Sequence, residues 1–219
     1  MRKLFLIGLF FIAMGTKEAG ASGFEAIRSW PHQQTILSAK EEQGRYKGFV
    51  INIQQSKKYF PYWTALKDQR AQPSMRTFDL DGDKRNEYIV FLPQKHENGE
   101  FVNEAKVLKL TKAGIQEIGV SDVRKLLSKE VKYYINQQNF YVQVDQKNVL
   151  KLKHETQAPK LLIDSFVLYD VEDEQLKAKV RLVNHKGKYL GVFEVLYDYK
   201  QPAKMTPVKT VFKQAGSTK

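Results

Sequence analysis

Phe78-Asp79-Leu80-Asp81-Gly82-Asp83-Lys84-Arg85-Asn86-Glu87-Tyr88-Ile89-Val90-Phe91-Leu92 is two signals joined end to end. The first is an acidic loop, with four carboxylates in the nine residues 79–87 and a turn glycine among them. The second is an unbroken run of β-branched, aromatic and aliphatic residues, Tyr88 to Leu92. Such a run, bounded by turn residues and Pro93, reads as a buried strand. Asn98-Gly99 then gives a hairpin signal, and residues 102–110, with Val107 and Leu108, give the return strand. The acidic loop therefore opens onto a β-hairpin.

Working outward, the same chemistry recurs. Upstream, residues 46–53 alternate, with Phe49, Ile51 and Ile53 on one side and Gly48, Val50 and Asn52 on the other. That is the period of a half-buried strand. Tyr59-Phe60-Pro61-Tyr62-Trp63 concentrates four aromatics around a proline, either as core or as a face for a sugar ring. Residues 24–30 form a short helix or an extended arm, ended by Pro31; residues 33–43 are polar and carry no clear period, and 67–74 read as loop.

Downstream, Ser121 is an expected N-cap, with Asp122 in the first turn of a helix over 122–128 that has room to run on to Tyr134. Val123, Leu126 and Leu127 would face inward. Strands are expected at 140–144 and 148–152 around an Asp145-Gln146-Lys147 turn, then at 161–169, 176–183 and 189–199, with an edge strand at 208–212. Residues 169–174 form a second acidic cluster that lacks the glycine of the first. The fold class is mainly β (α+β): antiparallel sheets and hairpins with one or two short helices. We expect a single β domain over 22–213, with Gln157-Ala158-Pro159 marking a weak boundary between halves 22–156 and 157–213, and a disordered tail at 214–219.

Composition bounds the class of function. With 42% apolar residues, and 13 Phe, 11 Tyr and 2 Trp to bury, the chain is not a disordered polyelectrolyte. Arg2 and Lys3 precede an apolar run over 4–14, too short for the ~20 residues that span a bilayer, and Ala19-Gly20-Ala21 follows. This is the pattern of a signal peptide over 1–21, cleaved after Ala21, and it predicts export. The absence of cysteine rules out disulfides, thiolate metal sites and a cysteine nucleophile. Net charge is +12; Arg2, Lys3 and Lys17 against Glu18 account for +2, leaving +10 on the mature chain. An exported cation of this kind suits an anionic cell-wall polymer or an envelope protein better than nucleic acid, although solubility alone also explains dispersed lysines.

The acidic loop has the chemistry of a calcium site. Calcium takes six to eight oxygens, several of them carboxylate. Asp79, Asp81 and Asp83 occupy positions 1, 3 and 5; Arg85 at position 7 offers its carbonyl; Glu87 at position 9 closes the loop, and Gly82 permits the tight turn. Four converging carboxylates repel one another unless a cation joins them. Magnesium, which keeps its waters, suits the set less well. The competing reading is a solvated Asp-Gly turn neutralised by Lys84 and Arg85.

On these residues the loop resembles the Asp-x-Asp-Gly-Asp-x-x-x-Asp/Glu loop of FG-GAP and VCBS-type repeats. That resemblance implies calcium ligation by Asp79, Asp81, Asp83, the Arg85 carbonyl and Glu87 in an exported or cell-surface module. One copy does not close a propeller of four or more blades, so a complete propeller is not expected. A wider stretch, carried by Tyr59 to Trp63, the acidic loop, Glu104 to Leu108, Ile118, Ser121-Asp122-Val123, Gly191 and Tyr197, resembles uncharacterised secreted proteins of bacilli, some with a copper-amine-oxidase-like stalk domain. His96-Glu97-Asn98-Gly99 stands where that resemblance would have a glycine-threonine-glycine turn.

No catalytic constellation is evident. His32, His96, His154 and His185 are scattered without zinc-ligand spacing, and no Gly-x-Ser-x-Gly elbow occurs. The expectation is a secreted or wall-associated, calcium-binding, non-enzymatic interaction module. The alternative is a metal-dependent hydrolase of envelope polymers using the acidic loop.

Overall fold

The computed structural model describes residues 23–97, 99–137, 139–153, 161–200 and 203–216. The expected signal peptide, the boundary at 157–159, Asn98 and the end of the tail lie outside the described residues. In chain order the strands are β1 (Glu25–Trp30), β2 (Thr35–Glu42), β3 (Arg45–Ile53), β4 (Ser56–Leu66), β5 (Ser74–Phe78), β6 (Glu87–Glu97), β7 (Glu100–Thr111) and β8 (Gly114–Val120). A helix α1 (Val123–Glu130) precedes β9 (Val131–Asn136), β10 (Asn139–Val144), β11 (Lys147–Lys153), β12 (Leu161–Glu172), β13 (Gln175–Asn184), β14 (Tyr189–Lys200) and β15 (Lys204–Gln214). The fold is mainly β, and it is not a propeller. No helix among the described residues is long and apolar enough to cross a membrane.

Three sheets form: β1-β2-β3-β4, β11-β10-β9, and a curled eight-stranded sheet β12-β13-β14-β15-β8-β7-β6-β5. β6 lies where two cores meet. Tyr88, Val90 and Leu92 pack with Leu37, Phe49, Ile51 and Trp63 of the four-stranded sheet. Ile89 and Phe91 point the opposite way, into a core shared with α1, the three-stranded sheet and β12–β15. A strand covered on both faces has no solvent side to keep polar, which is why 88–92 reads as a continuous apolar run. Burying each such side chain stabilises by about 1.5–3 kcal/mol.

The eight-stranded sheet joins β5–β8 to β12–β15. β15 pairs antiparallel with β14 on one side and parallel with β8 on the other, through Lys204↔Gly119 and Met205↔Val120. The expected strand at 208–212 forms as part of β15, which extends to Gln214; only its start, Lys204 and Met205, is paired on both sides, and the pairing of 209–214 is with β14. The curl brings β12 over β7, where Asn103 acts as a splint: its Nδ2 donates to the Tyr169 carbonyl at 2.9 Å and its Oδ1 accepts the Tyr169 N–H at 2.6 Å. Tyr197 ties β14 to the start of α1 by donating to the Ser121 carbonyl at 2.8 Å. Gly191 is obligatory for close packing, since a Cβ there would lie 2.5 Å from the Lys213 carbonyl oxygen.

Several expectations change. Residues 25–30 are strand, and 35–42 also form one, burying Thr35, Leu37 and Ala39. The cap of α1 is Asp122, not Ser121: its Oδ1 accepts from the backbone N–H of Arg124 and Lys125. The helix stops at Glu130, and residues as far as Asn136 form β9, which pairs antiparallel with β10 as the third strand of its sheet. β6 does not end at Pro93 but passes through it with a register shift. The aromatic cluster divides: Phe60 and Trp63 are buried, whereas Tyr59 is 52% and Tyr62 91% exposed. The second acidic cluster is the β12–β13 hairpin, where Asp173 and Glu174 both have positive φ and Glu172 pairs with Lys177 and Lys179.

Candidate metal centre

The loop between β5 and β6 is organised around Asp79. Its Oδ1 accepts the N–H groups of Gly82 (2.8 Å) and Asp83 (3.1 Å), and its Oδ2 accepts that of Lys84 (2.9 Å). Wrapping successive amides round one carboxylate requires left-handed backbone, seen at Gly82 (φ 75°) and Lys84 (φ 67°). Glycine adopts this without cost, and the Asp79 bond holds Lys84 there. Asp83 caps the next step, accepting the Arg85 N–H at 2.9 Å.

Glu87 closes the loop from the first residue of β6. Its Oε2 accepts the Leu80 N–H at 2.7 Å. Its Oε1 accepts no hydrogen bond, although the residue is fully buried. Burial pushes the Glu87 carboxyl up, and the charge of Asp81 adds to the rise; the Leu80 N–H and Lys109 oppose it. Asp79, Asp81 and Glu87 each bring one carboxylate oxygen to within 4.8 Å of the others. Oxygens 2.3–2.6 Å from a calcium ion lie at most about 5 Å apart, so the three fit around one hard cation.

A residue that the sequence analysis did not identify enters from β7. The Lys109 ammonium bonds Asp81, reaches Asp83 Oδ2 at 2.7 Å, and stands 3.4 Å from Glu87 Oε1. Burial works against its charge, but the bonds to Asp81 and Asp83 and the charge of Glu87 prevail and raise its pKa above the lysine norm. Asp83, bonded to Lys109, is held below the usual carboxylate range. Of the expected ligands, Asp79, Asp81 and Glu87 therefore converge; Asp83 stands at Lys109; Arg85 contributes its N–H to Asp83. The Lys109 ammonium pairs with three of the loop's four carboxylates, Asp81, Asp83 and Glu87, while Asp79 is held by backbone N–H groups.

The carboxylates elsewhere have other duties. The curled sheet bounds a cleft of about 470 Å³ between β7, β8 and β12, whose lining includes Glu104, Glu117 and Asp122 but no residue of the acidic loop. Glu104 pairs with Lys106, Glu117 accepts the Trp63 indole N–H, and Asp122 caps α1. No protein family, curated protein or solved structure matches the chain.

Proposed function

We propose that the protein binds one calcium ion through Asp79, Asp81, Asp83, the Arg85 carbonyl and Glu87, and that the ion fixes the β5–β6 loop of an exported, non-enzymatic binding module of the cell envelope. The observation that carries the calcium reading is Glu87: a fully buried carboxylate with one oxygen lacking any hydrogen bond, in a group that brings an oxygen within 4.8 Å of two further carboxylates and has the Lys109 ammonium 3.4 Å away as its nearby charge. An ionised group in that position costs several kcal/mol unless a cation compensates it. Calcium suits an all-oxygen set whose backbone is already turned inward by Asp79. On binding, the Lys109 ammonium swings outward on its flexible stem and the ion takes its place among Asp81, Asp83 and Glu87. Export is supported by the pattern of residues 1–21, and an anionic envelope partner by the net charge.

A second reading has one specific observation in its favour. Lys109 already bonds Asp81 and Asp83, so the cluster is then a closed ion network that takes no metal. Calorimetric titration of the mature protein with calcium separates the two. The calcium reading predicts one ion per chain and its loss in Asp81→Ala. Absence of binding heat in the wild type leaves Lys109 as the sole counter-ion.

A further inference from the structure

The three-stranded sheet has one face in the core and one in solvent, and the outer face has a distinct chemistry. Register places Tyr141 of β10 between Tyr134 of β9 and Lys151 of β11. The same face carries Lys132 opposite Gln143 and Lys153 opposite Asn139. All three lysines are exposed, and no aspartate or glutamate belongs to β9, β10 or β11; Glu130, which accepts from Thr210, ends α1 just before β9, and Asp145 lies in the β10–β11 turn.

The tyrosines are preassembled. Their rings stack at 5.0 Å between centroids with 11° between planes, and the Tyr134 hydroxyl donates to Asn148 Oδ1 at 2.8 Å. Lys151 lies over the Tyr141 ring, 5.9 Å from its centroid. Tyr141 thus has a ring on one flank and an ammonium on the other, so it is poorly placed to stack on a nucleobase. What the face offers is hydroxyls, carboxamides and ammonium groups. Lys151 and Lys153 are two residues apart on one strand, roughly 7 Å, close to the phosphate repeat of a chain with short polyol units.

We propose that the outer face of β9–β11 binds an anionic polymer of sugar or polyol units joined by phosphodiesters. The lysines pair with the phosphates, and the amides and Tyr134–Tyr141 edge bond the hydroxyls. The choice of polymer rests on the envelope reading above, while the location rests on the sheet alone.

The test measures binding of purified polyglycerol phosphate, and separately of a single-stranded RNA of equal phosphate number, to three forms of the protein. These are wild type, the face variant Lys132→Ala/Lys151→Ala/Lys153→Ala, and a control Lys57→Ala/Lys186→Ala/Lys209→Ala, whose lysines are exposed and off this sheet. All three must melt alike, as substitutions at exposed lysines allow. The expected result is a tenfold or greater loss for the face variant, with the slope of log affinity against log salt falling by about 2 as three phosphate contacts vanish. The control should stay within about twofold of wild type. Equal losses in both variants would reduce the effect to net charge and overturn the site while leaving envelope binding intact. Tighter binding of RNA than of the polyol polymer would overturn the ligand class. If wild type binds neither polymer, this proposal falls together with the envelope-binding reading.

Discussion

Lys109 Nζ lies 3.4 Å from Glu87 Oε1, the one oxygen of a fully buried carboxylate that accepts no hydrogen bond. This contact links the mouth of the hairpin to its return strand and makes Lys109 the rival of any metal. Replacing Lys109 with Met removes the ammonium and keeps most of the stem. In chelator the variant should lose about 3–5 kcal/mol, the cost of stranding a buried charge. Added calcium should restore most of this, with tighter binding than in wild type because no lysine competes. Denaturant melts with and without calcium check it. A loss that calcium does not repair would assign the cluster to Lys109 alone.

The hairpin and loop were legible in the sequence, but Lys109 was not, and the reason is one residue of register. From the Glu97↔Glu100 pair, an uninterrupted ladder would set Leu110 opposite Glu87. The observed shift between Pro93 and Lys95 gives Tyr88↔Leu108 instead, which by continuation brings Lys109 to Glu87. Proline donates no N–H to a ladder, and bulges gather at such points, yet the direction of the slip is set by packing. The division of the aromatics has a similar origin. The β3–β4 register slips between Lys47 and Phe49, at Gly48 (φ 58°), so Phe60 and Trp63 both point inward although three residues apart. β2 was missed because its inward residues Thr35, Leu37 and Ala39 alternate with polar ones and end in Lys40-Glu41-Glu42. Residues 131–134 continue a helical segment without a breaker, yet they pair along β10 as β9, a partner further along the chain that the local pattern does not reveal.

Asn103 is the only side chain that bonds both backbone groups of Tyr169 among the hydrogen bonds described, and it holds β12 against β7. Asn103→Leu should cost about 2–4 kcal/mol, since the Tyr169 N–H and C=O each lose a partner in a half-buried setting. Hydrogen exchange at the Tyr169 amide should accelerate far more than at Val90 in β6. Equal acceleration at both sites would mean that the splint only contributes to global stability.

Asp68 gives a pH signature outside the metal centre. The Arg70 guanidinium, seconded by the Arg70 N–H, holds its carboxyl at about 2, below the ordinary 3.8. A depressed folded-state value means that the contribution is fully present above pH 3.8 and is lost as pH falls through about 2. The melting-temperature difference between wild type and Asp68→Asn should therefore be constant above about pH 4 and shrink steadily toward pH 2. A difference that does not change with pH would show that the pair does not act through ionisation.

The central claim is that the loop binds calcium and that calcium stabilises the fold. Its most direct test is the melting temperature of the mature protein in ~10 mM calcium against chelator, with Asp81→Ala alongside. Extracellular sites of this type bind at ~0.1–1 mM. At ~0.1 mM, binding to the folded state alone adds about 2.7 kcal/mol, a rise of roughly 5–11 °C for a chain of this size. The account predicts that rise in wild type and none in Asp81→Ala. Identical wild-type melting in calcium and chelator would contradict it.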